Sequence, residues 1–388
     1  MSVSSPRVAS PAPNASSDPL SNVPPSEWMA VAGTGDDYDV TAALDEFYAS
    51  RTGVCGLVES GVTIVPPLFL APNSPPPPPL GTTSFVIPTI DLSLPRSAIV
   101  PLVRAAARTC GIFYITNHGV PADTIDSALS AVRAFHELPP AVRSEFYSLA
   151  LVGDILCTTY RNDRPRQAAR PNAIPVLPWR DSLTIRVTPP GPDLGRLPAV
   201  VRDPLLEYHR VMAEFGKKKI GVLLSEALGV GAEWLEKTMQ MEAADISSHY
   251  YPPCPEPAKV IGGMDHTDPY LFTVLAQDAV GGLVVHVRGG EWVDVPPVAG
   301  TLLVNIAELL KVFSNDEYIS IDHRVRVKSM KEPRVSIALF FNPSDSHMIE
   351  PLPDLVTVDK PLRYRSFTMA EFRDSRKGRF GMFRKNVN

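Results

Sequence analysis

The chain has 388 residues, 44% of them hydrophobic, and a formal net charge of −5. That length holds one large β-rich domain with helical additions, or two domains, and buries a substantial core. The charge gives no support for nucleic-acid binding as a main activity, no run approaches the ~18 apolar residues of a membrane span, and four scattered cysteines without a CxxC argue against a disulfide framework or zinc ribbon.

Residues 1–35 are rich in Ser, Pro and Ala without an apolar signal core, and read as a disordered tail. A helical leader and a polyproline linker at 75–79 occupy 36–84. Helical spacing places Val40, Leu44 and Phe47 on one side of 36–51. The stretch 85–230 reads as a helical and strand region. It has a strand at 87–93, a helix at 98–109, a buried strand in CGIFYITNHGV at 110–120 and a helix at 122–135. A long irregular segment at 151–198 carries WRDSLTIRV, and the longest helix signal, 205–228, is stopped by Gly229 and Gly231.

From residue 246 the pattern changes to short strands separated by Gly and Pro: SSHYY, LFTVLAQ, GLVVHV, EWVDV, TLLVNI, SIDHRVRV and RVSIALFF. A mainly β fold follows, with a jelly-roll core over 240–345 enclosing a ligand-sized cavity, a supporting long helix, and a helical tail at 346–388 centred on 369–376. At least one helical turn is expected at 309–315.

Within the strand region, His266 and Asp268 stand two apart, and His323 follows 55 residues later. A strand's side-chain period of two turns His266 and Asp268 the same way, and likewise Arg334 and Ser336. Two imidazoles and one carboxylate on one face are the ligand set of a non-haem Fe(II) oxygenase, and an Arg with a hydroxyl on a nearby strand suits a small dicarboxylate. A lone strand histidine is more often a core or surface residue, and Arg334 has a rival in a surface bridge to Glu332. It is the joint spacing that favours the site.

These residues and their flanks resemble the plant-type 2-oxoglutarate- and Fe(II)-dependent dioxygenase superfamily. The HxD…H…RxS pattern falls on His266, Asp268, His323, Arg334 and Ser336, and HYYPPCPEP, LAQDAVGGL, WVDVPPVAG and SNDEYISIDHRV match its surroundings. IPTIDLS and NHGVP extend the likeness over about residues 85–380, and DEFYASRTGVCGLVESGVTIVPPLFLAP resembles the leader of the 1-aminocyclopropane-1-carboxylate oxidase homologues. The resemblance implies a double-stranded β-helix core and Fe(II) on His266, Asp268 and His323. It also implies 2-oxoglutarate on Arg334, Ser336 and Tyr251, O2 as oxidant and ascorbate as reductant. Hydroxylation, demethylation or desaturation of a small specialised metabolite would be coupled to succinate and CO2 release. Phe340, His249 and Trp179 are the candidate substrate-pocket residues. His249 replaces an Asn common in relatives, and NIAELL and KSMKEP are further departures. A cytoplasmic monomer is expected, with a plastid address the alternative. The rival functions are an ethylene-forming oxidase and a silent jelly-roll binding protein.

Overall fold

The computed structural model describes residues 38–71, 85–159, 176–187, 191–287, 290–375 and 383–385. The expected tail and the polyproline linker lie outside them.

The leader forms helix α1 (Val40–Ser50) and helix α2 (Gly53–Glu59), followed by a 3-10 turn at Pro67–Phe69. Asp39 caps α1 by accepting from the backbone N–H groups of Thr41 and Ala42 at 2.9 and 3.0 Å, and Arg51 closes it in a left-handed conformation. Phe47 packs edge-on against Phe69 at 5.4 Å, and Phe69 against Trp179 at 5.2 Å. The three rings are buried together, so the leader docks on the body through aromatic area, joined by the Arg143–Glu59 ion pair.

The body begins with β1 (Thr89–Asp91), helix α3 (Arg96–Thr109), β2 (Ile112–Thr116), helix α4 (Ala122–His136) and helix α5 (Pro140–Phe146). The segment expected to be irregular contains β3 (Ile155–Thr159) and β4 (Asp181–Arg186), an antiparallel pair at the edge of the main sheet. Residues 160–175 and 188–190 of that segment are outside the described set. In β4 only Leu183 and Ile185 join the apolar core, while Ser182 and Thr184 face the other way, so polar and apolar residues alternate along it.

The long helix starts earlier than expected. Helix α6 (Ala199–Phe215) passes through a π turn at Gly216–Gly221 into helix α7 (Val222–Leu228). The π turn sits where Phe341 packs against the helix: a Cβ on Gly216 would lie 2.0 Å from that ring, so only glycine admits the contact. Gly229, at φ +91°, ends α7 with its N–H and that of Val230 returning to Glu226 and Ser225.

The remaining strands are β5 (Glu242–Tyr251), β6 (Gly263–His266), β7 (Phe272–Gln277), β8 (Leu283–His286), β9 (Trp292–Asp294), β10 (Leu302–Ile306), β11 (His323–Val325) and β12 (Arg334–Asn342). Helix α8 (Glu308–Phe313) joins β10 to the segment before β11 and meets the expectation of a turn there. The chain closes with β13 (Met348–Ile349), β14 (Phe367–Thr368) and helix α9 (Met369–Ser375). Eight strands form one sheet in the order β1-β2-β10-β7-β12-β5-β4-β3, and four form a second, β6-β11-β8-β9.

This is a jelly roll. One face of the large sheet (Val274, Ile337, Leu339 and Phe341 among others) is covered by the helices. The opposite face, through Ile112, Tyr114, Leu303 and Tyr251, meets Leu283, Val285, Val293 and Val325 of the small sheet. Most residues of the large sheet that share this inner face without joining that apolar cluster are polar, Thr273, Gln277, Asn305, Arg334 and Ser336 among them, and Phe340 is the large apolar exception. The extra length of KSMKEP is absorbed by a turn in which Ser329 Oγ accepts from the N–H groups of Lys331 and Glu332.

Candidate active site

His266 and His323 face each other directly across the antiparallel pair β6 and β11. Their rings lie 4.2 Å apart at 51°. His266 Nδ1–H donates to the Met264 carbonyl at 2.8 Å and His323 Nδ1–H to that of Ile321 at 3.2 Å. A carbonyl can only accept, so these bonds fix the tautomer and leave both Nε2 lone pairs for a third party. Both Nε2 atoms are 3.6 Å from Asp268 Oδ1. The ligand atoms of the three residues all lie within 4.8 Å of one another, a span that one octahedral ion can bridge.

The reason for the convergence differs from the expected strand alternation. β6 ends at His266, and Asp268 sits in the connection to β7. Its carboxylate is oriented from the large sheet. Oδ2 accepts from Thr273 Oγ1 at 2.6 Å and Asn305 Nδ2 at 2.9 Å, which leaves Oδ1 turned toward the histidines. Thr273 and Asn305 are register partners on β7 and β10. The neighbouring backbone is pinned as well: Glu308 N–H donates to the Asp268 carbonyl, and Thr267 Oγ1 donates to Glu308.

Electrostatics match a metal-binding set. Burial opposes ionisation of Asp268, but the two histidines and the bonds from Thr273 and Asn305 outweigh it and hold the carboxyl below its ordinary value. His266 lines the cavity mouth, yet desolvation and the His323 charge push it down to about 4, so it is neutral near pH 7. One carboxylate and two imidazoles with their Nε2 atoms turned toward it form a donor set suited to a divalent first-row ion.

Arg334 and Ser336 share the inner face of β12 and are 4% and 2% exposed. Arg334 Nη1 donates to Ser336 Oγ at 2.9 Å and Nη2 to Gln277 Oε1 at 2.8 Å, while the guanidinium carbon lies 4.8 Å from the Tyr251 ring centroid. Among the described residues no carboxylate comes within ion-pair distance of Arg334, and its buried Nε–H has no acceptor. The bridge to Glu332 is not formed. A buried guanidinium held only by neutral groups is unfavourable unless an anion joins it.

The other expected pocket residues separate. Phe340 shares the inner face with Arg334 and Ser336 and stacks on Tyr270 at 4.2 Å. His249 lies between Ser182 and Ser336 in register, with its Nδ1 2.9 Å from Ser182 Oγ. Desolvation, then the charges of Arg180 and Arg334, pushes it well below its ordinary value. Trp179 does not line the pocket. Its ring is fully buried against the leader, and Nε1–H donates to the Pro252 and Pro253 carbonyls.

Sequence reasoning missed Thr273, Asn305 and Gln277. Asn305 carried a signal, a polar amide inside the apolar run TLLVNIAELL, where burial demands a partner. A second cluster of possible ligands, Cys55, His136 and Asp181, is structural. The Asp181 carboxylate already accepts from the N–H groups of Val54 and Cys55 at the start of α2 and from Thr159 Oγ1, and desolvation holds the Cys55 thiol protonated.

Comparison with known proteins agrees with this geometry. Residues 244–343 match the 2OG-Fe(II) oxygenase superfamily model, and residues 87–202 match the model of the non-haem dioxygenase in morphine synthesis N-terminal. The chain is 36% identical over 344 residues to 1-aminocyclopropane-1-carboxylate oxidase homolog 4 of Arabidopsis thaliana, covering 86% of this chain and 93% of the relative. It is 33% identical to the Solanum lycopersicum homologue, covering 87% and 92%. In three dimensions it superposes on JOX2, solved with 2OG, Fe and JA, at a TM-score of 0.71 and 27% identity over 83% of this chain and 92% of that one. The chain therefore belongs to the 2OG-Fe(II) oxygenase superfamily, among the 1-aminocyclopropane-1-carboxylate oxidase homologues, and is an Fe(II)- and 2-oxoglutarate-dependent dioxygenase.

Proposed function

We propose that His266, Asp268 and His323 hold the Fe(II), that Arg334, Ser336 and Tyr251 hold 2-oxoglutarate, and that the enzyme hydroxylates a small specialised metabolite. The observation that carries this reading is Arg334. It is a buried cation without a carboxylate partner among the described residues, beside a preorganised site of two imidazoles and one carboxylate. The bound iron and cosubstrate supply the oxidising chemistry, with O2 consumed and ascorbate as the reductant that keeps the metal ferrous.

The protein's own residues bind and orient. The two histidines present Nε2 because Nδ1–H is committed to backbone carbonyls, and Asp268 presents Oδ1 because Oδ2 is committed to Thr273 and Asn305. Arg334 offers a planar fork for the distal carboxylate of the keto-diacid. Gln277 and Ser336 fix the rotation of that fork, so binding loses little freedom. Tyr251 underlies it, and Phe340 with Tyr270 forms an aromatic wall for the substrate. The JA bound in JOX2 supports a substrate of metabolite size. Four free, buried cysteines support a reducing setting, and a cytoplasmic monomer is part of the same reading. Among the described residues no helix is long and apolar enough to cross a membrane.

The test is an anaerobic titration with Fe(II) and then 2-oxoglutarate, followed by a metabolite screen in air. A charge-transfer absorption that needs both components, and 2-oxoglutarate-dependent succinate, are the expected results. Failure of His266→Ala to remove the absorption would refute the assignment.

A further inference from the structure

We propose that Asp245 receives a protonated nitrogen of the primary substrate, so that the enzyme's substrates are small organic bases. The inference rests on the site assignment above and extends it to the substrate class.

The backbone puts Asp245 on the substrate side of the metal site. On β5 it has the parity of Ser247, His249 and Tyr251, and the Tyr251 ring lies beside Arg334. Phe340 has two register partners on this inner face, Thr273 of β7 on one side and Asp245 of β5 on the other. Thr273 orients the proposed iron ligand Asp268. Neighbouring strands lie about 4.8 Å apart, so the Asp245 backbone stands roughly 10 Å from that of Thr273, with Phe340 between them. A small metabolite spans such a gap. β5 also carries one extra residue here, since Phe340 pairs with Asp245 but Phe341 pairs with Ala243. A bulge of this kind bends its strand and re-aims the side chains beside it.

The carboxylate is short of donors. Its side chain is 18% exposed, and it accepts one bond, from Arg186 Nε to Oδ1 at 3.4 Å. The other oxygen accepts nothing among the described residues. The Arg186 side chain is 46% exposed, so water screens much of its charge. Burial pushes the Asp245 carboxyl above its ordinary value, against the opposing charges of Arg186 and Arg373. A carboxylate drawn out of water in this way is stabilised by a further donor. The wall beside it favours a cation. Phe340, stacked on Tyr270 at 4.2 Å, sets aromatic surface next to the carboxylate, and an aromatic ring with an anion suits a protonated nitrogen better than a neutral hydroxyl. The adjacent rung towards His249 is neutral, with Thr184 and Ser247 bonded to each other at 3.0 Å. One end of a base would thus be held at Asp245 while the rest of it extends past Phe340 towards the metal ligands. Fixing one end sets which carbon faces the oxidant, which a regioselective oxidation requires.

The experiment uses the full chain loaded anaerobically with Fe(II) and 2-oxoglutarate. Matched probes, phenethylamine against 2-phenylethanol and tryptamine against tryptophol, are titrated at about pH 7.5, where the alkylamines are protonated. Perturbation of the charge-transfer band is followed. The parent enzyme is expected to bind at least one amine about ten- to a hundredfold more tightly than its alcohol. Asp245→Asn should erase that preference, and the 2-oxoglutarate titration should stay within about twofold. Arg186→Gln separates recognition from support of the sheet. It frees the carboxylate from its one partner, so the amines should bind about two- to fivefold more tightly. A rung that serves only to hold β4 on β5 would respond alike to both substitutions. The proposal is overturned if neither amine is preferred by the parent, if Asp245→Asn keeps the preference or weakens 2-oxoglutarate instead, or if Arg186→Gln weakens the amines. Absence of the band in the parent itself would sink the underlying site assignment rather than the role of Asp245.

Discussion

Of the three proposed iron ligands, Asp268 is the one whose carboxylate is held by side chains of the large sheet, and this makes Thr273→Val an informative perturbation. Valine keeps the β-branched shape and the strand preference but removes the hydroxyl that donates to Asp268 Oδ2 at 2.6 Å. A hydrogen bond to a buried charged group is worth ~1.5–3 kcal/mol, which corresponds to about 10- to 100-fold in an equilibrium constant. Because Asn305 still donates to the same oxygen at 2.9 Å, the single variant belongs at the lower end, roughly a tenfold loss of Fe(II) affinity. The double variant Thr273→Val/Asn305→Leu belongs at the upper end. These two bonds also help lower the Asp268 pKa, so removing them raises it, and any part of the loss that comes from protonation should shrink as pH rises. A loss that stays constant between about pH 6.5 and 8 marks orientation as the cause. Anaerobic calorimetric titration with Fe(II), alongside thermal unfolding of the metal-free proteins, is the assay. Unchanged Fe(II) affinity in the double variant with the fold intact would refute the claim that the large sheet aims this carboxylate.

Arg334→Lys keeps the charge and loses the planar fork, so the 2-oxoglutarate requirement should rise about tenfold or more while the substrate requirement moves less than about threefold; an unchanged cosubstrate curve counts against the assignment. His136 is stacked on Tyr250 and pushed by burial down to about 4. The unfolded chain takes up that proton near pH 6.5 and the folded chain does not, so stability is lost as pH falls from about 6.5 towards 4, by about 3 kcal/mol for this group. Denaturant titrations at pH 7.5 and 5 should show the loss, and His136→Phe should shrink it; an equal loss in both proteins would be inconsistent with this origin. Phe69→Ala removes the central ring of the leader's aromatic cluster and should cost ~3–5 kcal/mol of its docking, seen as faster limited trypsin cleavage at Arg51. Cleavage at the parent rate would show that the leader is held by something else.

The parts of the site legible in sequence were those whose chemistry is borne by rare residues at fixed spacing. His266, Asp268 and His323, and the pair Arg334 and Ser336, come together in the structure. Their supports were less legible, because Thr273, Asn305 and Gln277 are ordinary residues whose meaning depends on which strands become neighbours. β7 and β10 are about 30 residues apart in the chain and adjacent in the sheet. The strand β4 was hidden for another reason. Its residues 182–186 do alternate, polar toward the small sheet and apolar toward the core, but the run is short and sits inside a long segment without other regular pattern. Trp179 was misassigned to the pocket because a lone tryptophan beside Arg180 says nothing of which face it takes; the leader's Phe69 decides that.

The facing of His266 and His323 has a mechanical corollary. Both imidazoles ride on the four-stranded layer, whereas Thr273 and Asn305, which orient the Asp268 carboxylate, and Arg334, the proposed anchor of the keto-diacid, ride on the eight-stranded one. On the proposed assignment, a ferrous ion seated there would rivet the two layers, and its chelation should loosen the sandwich before either layer unfolds.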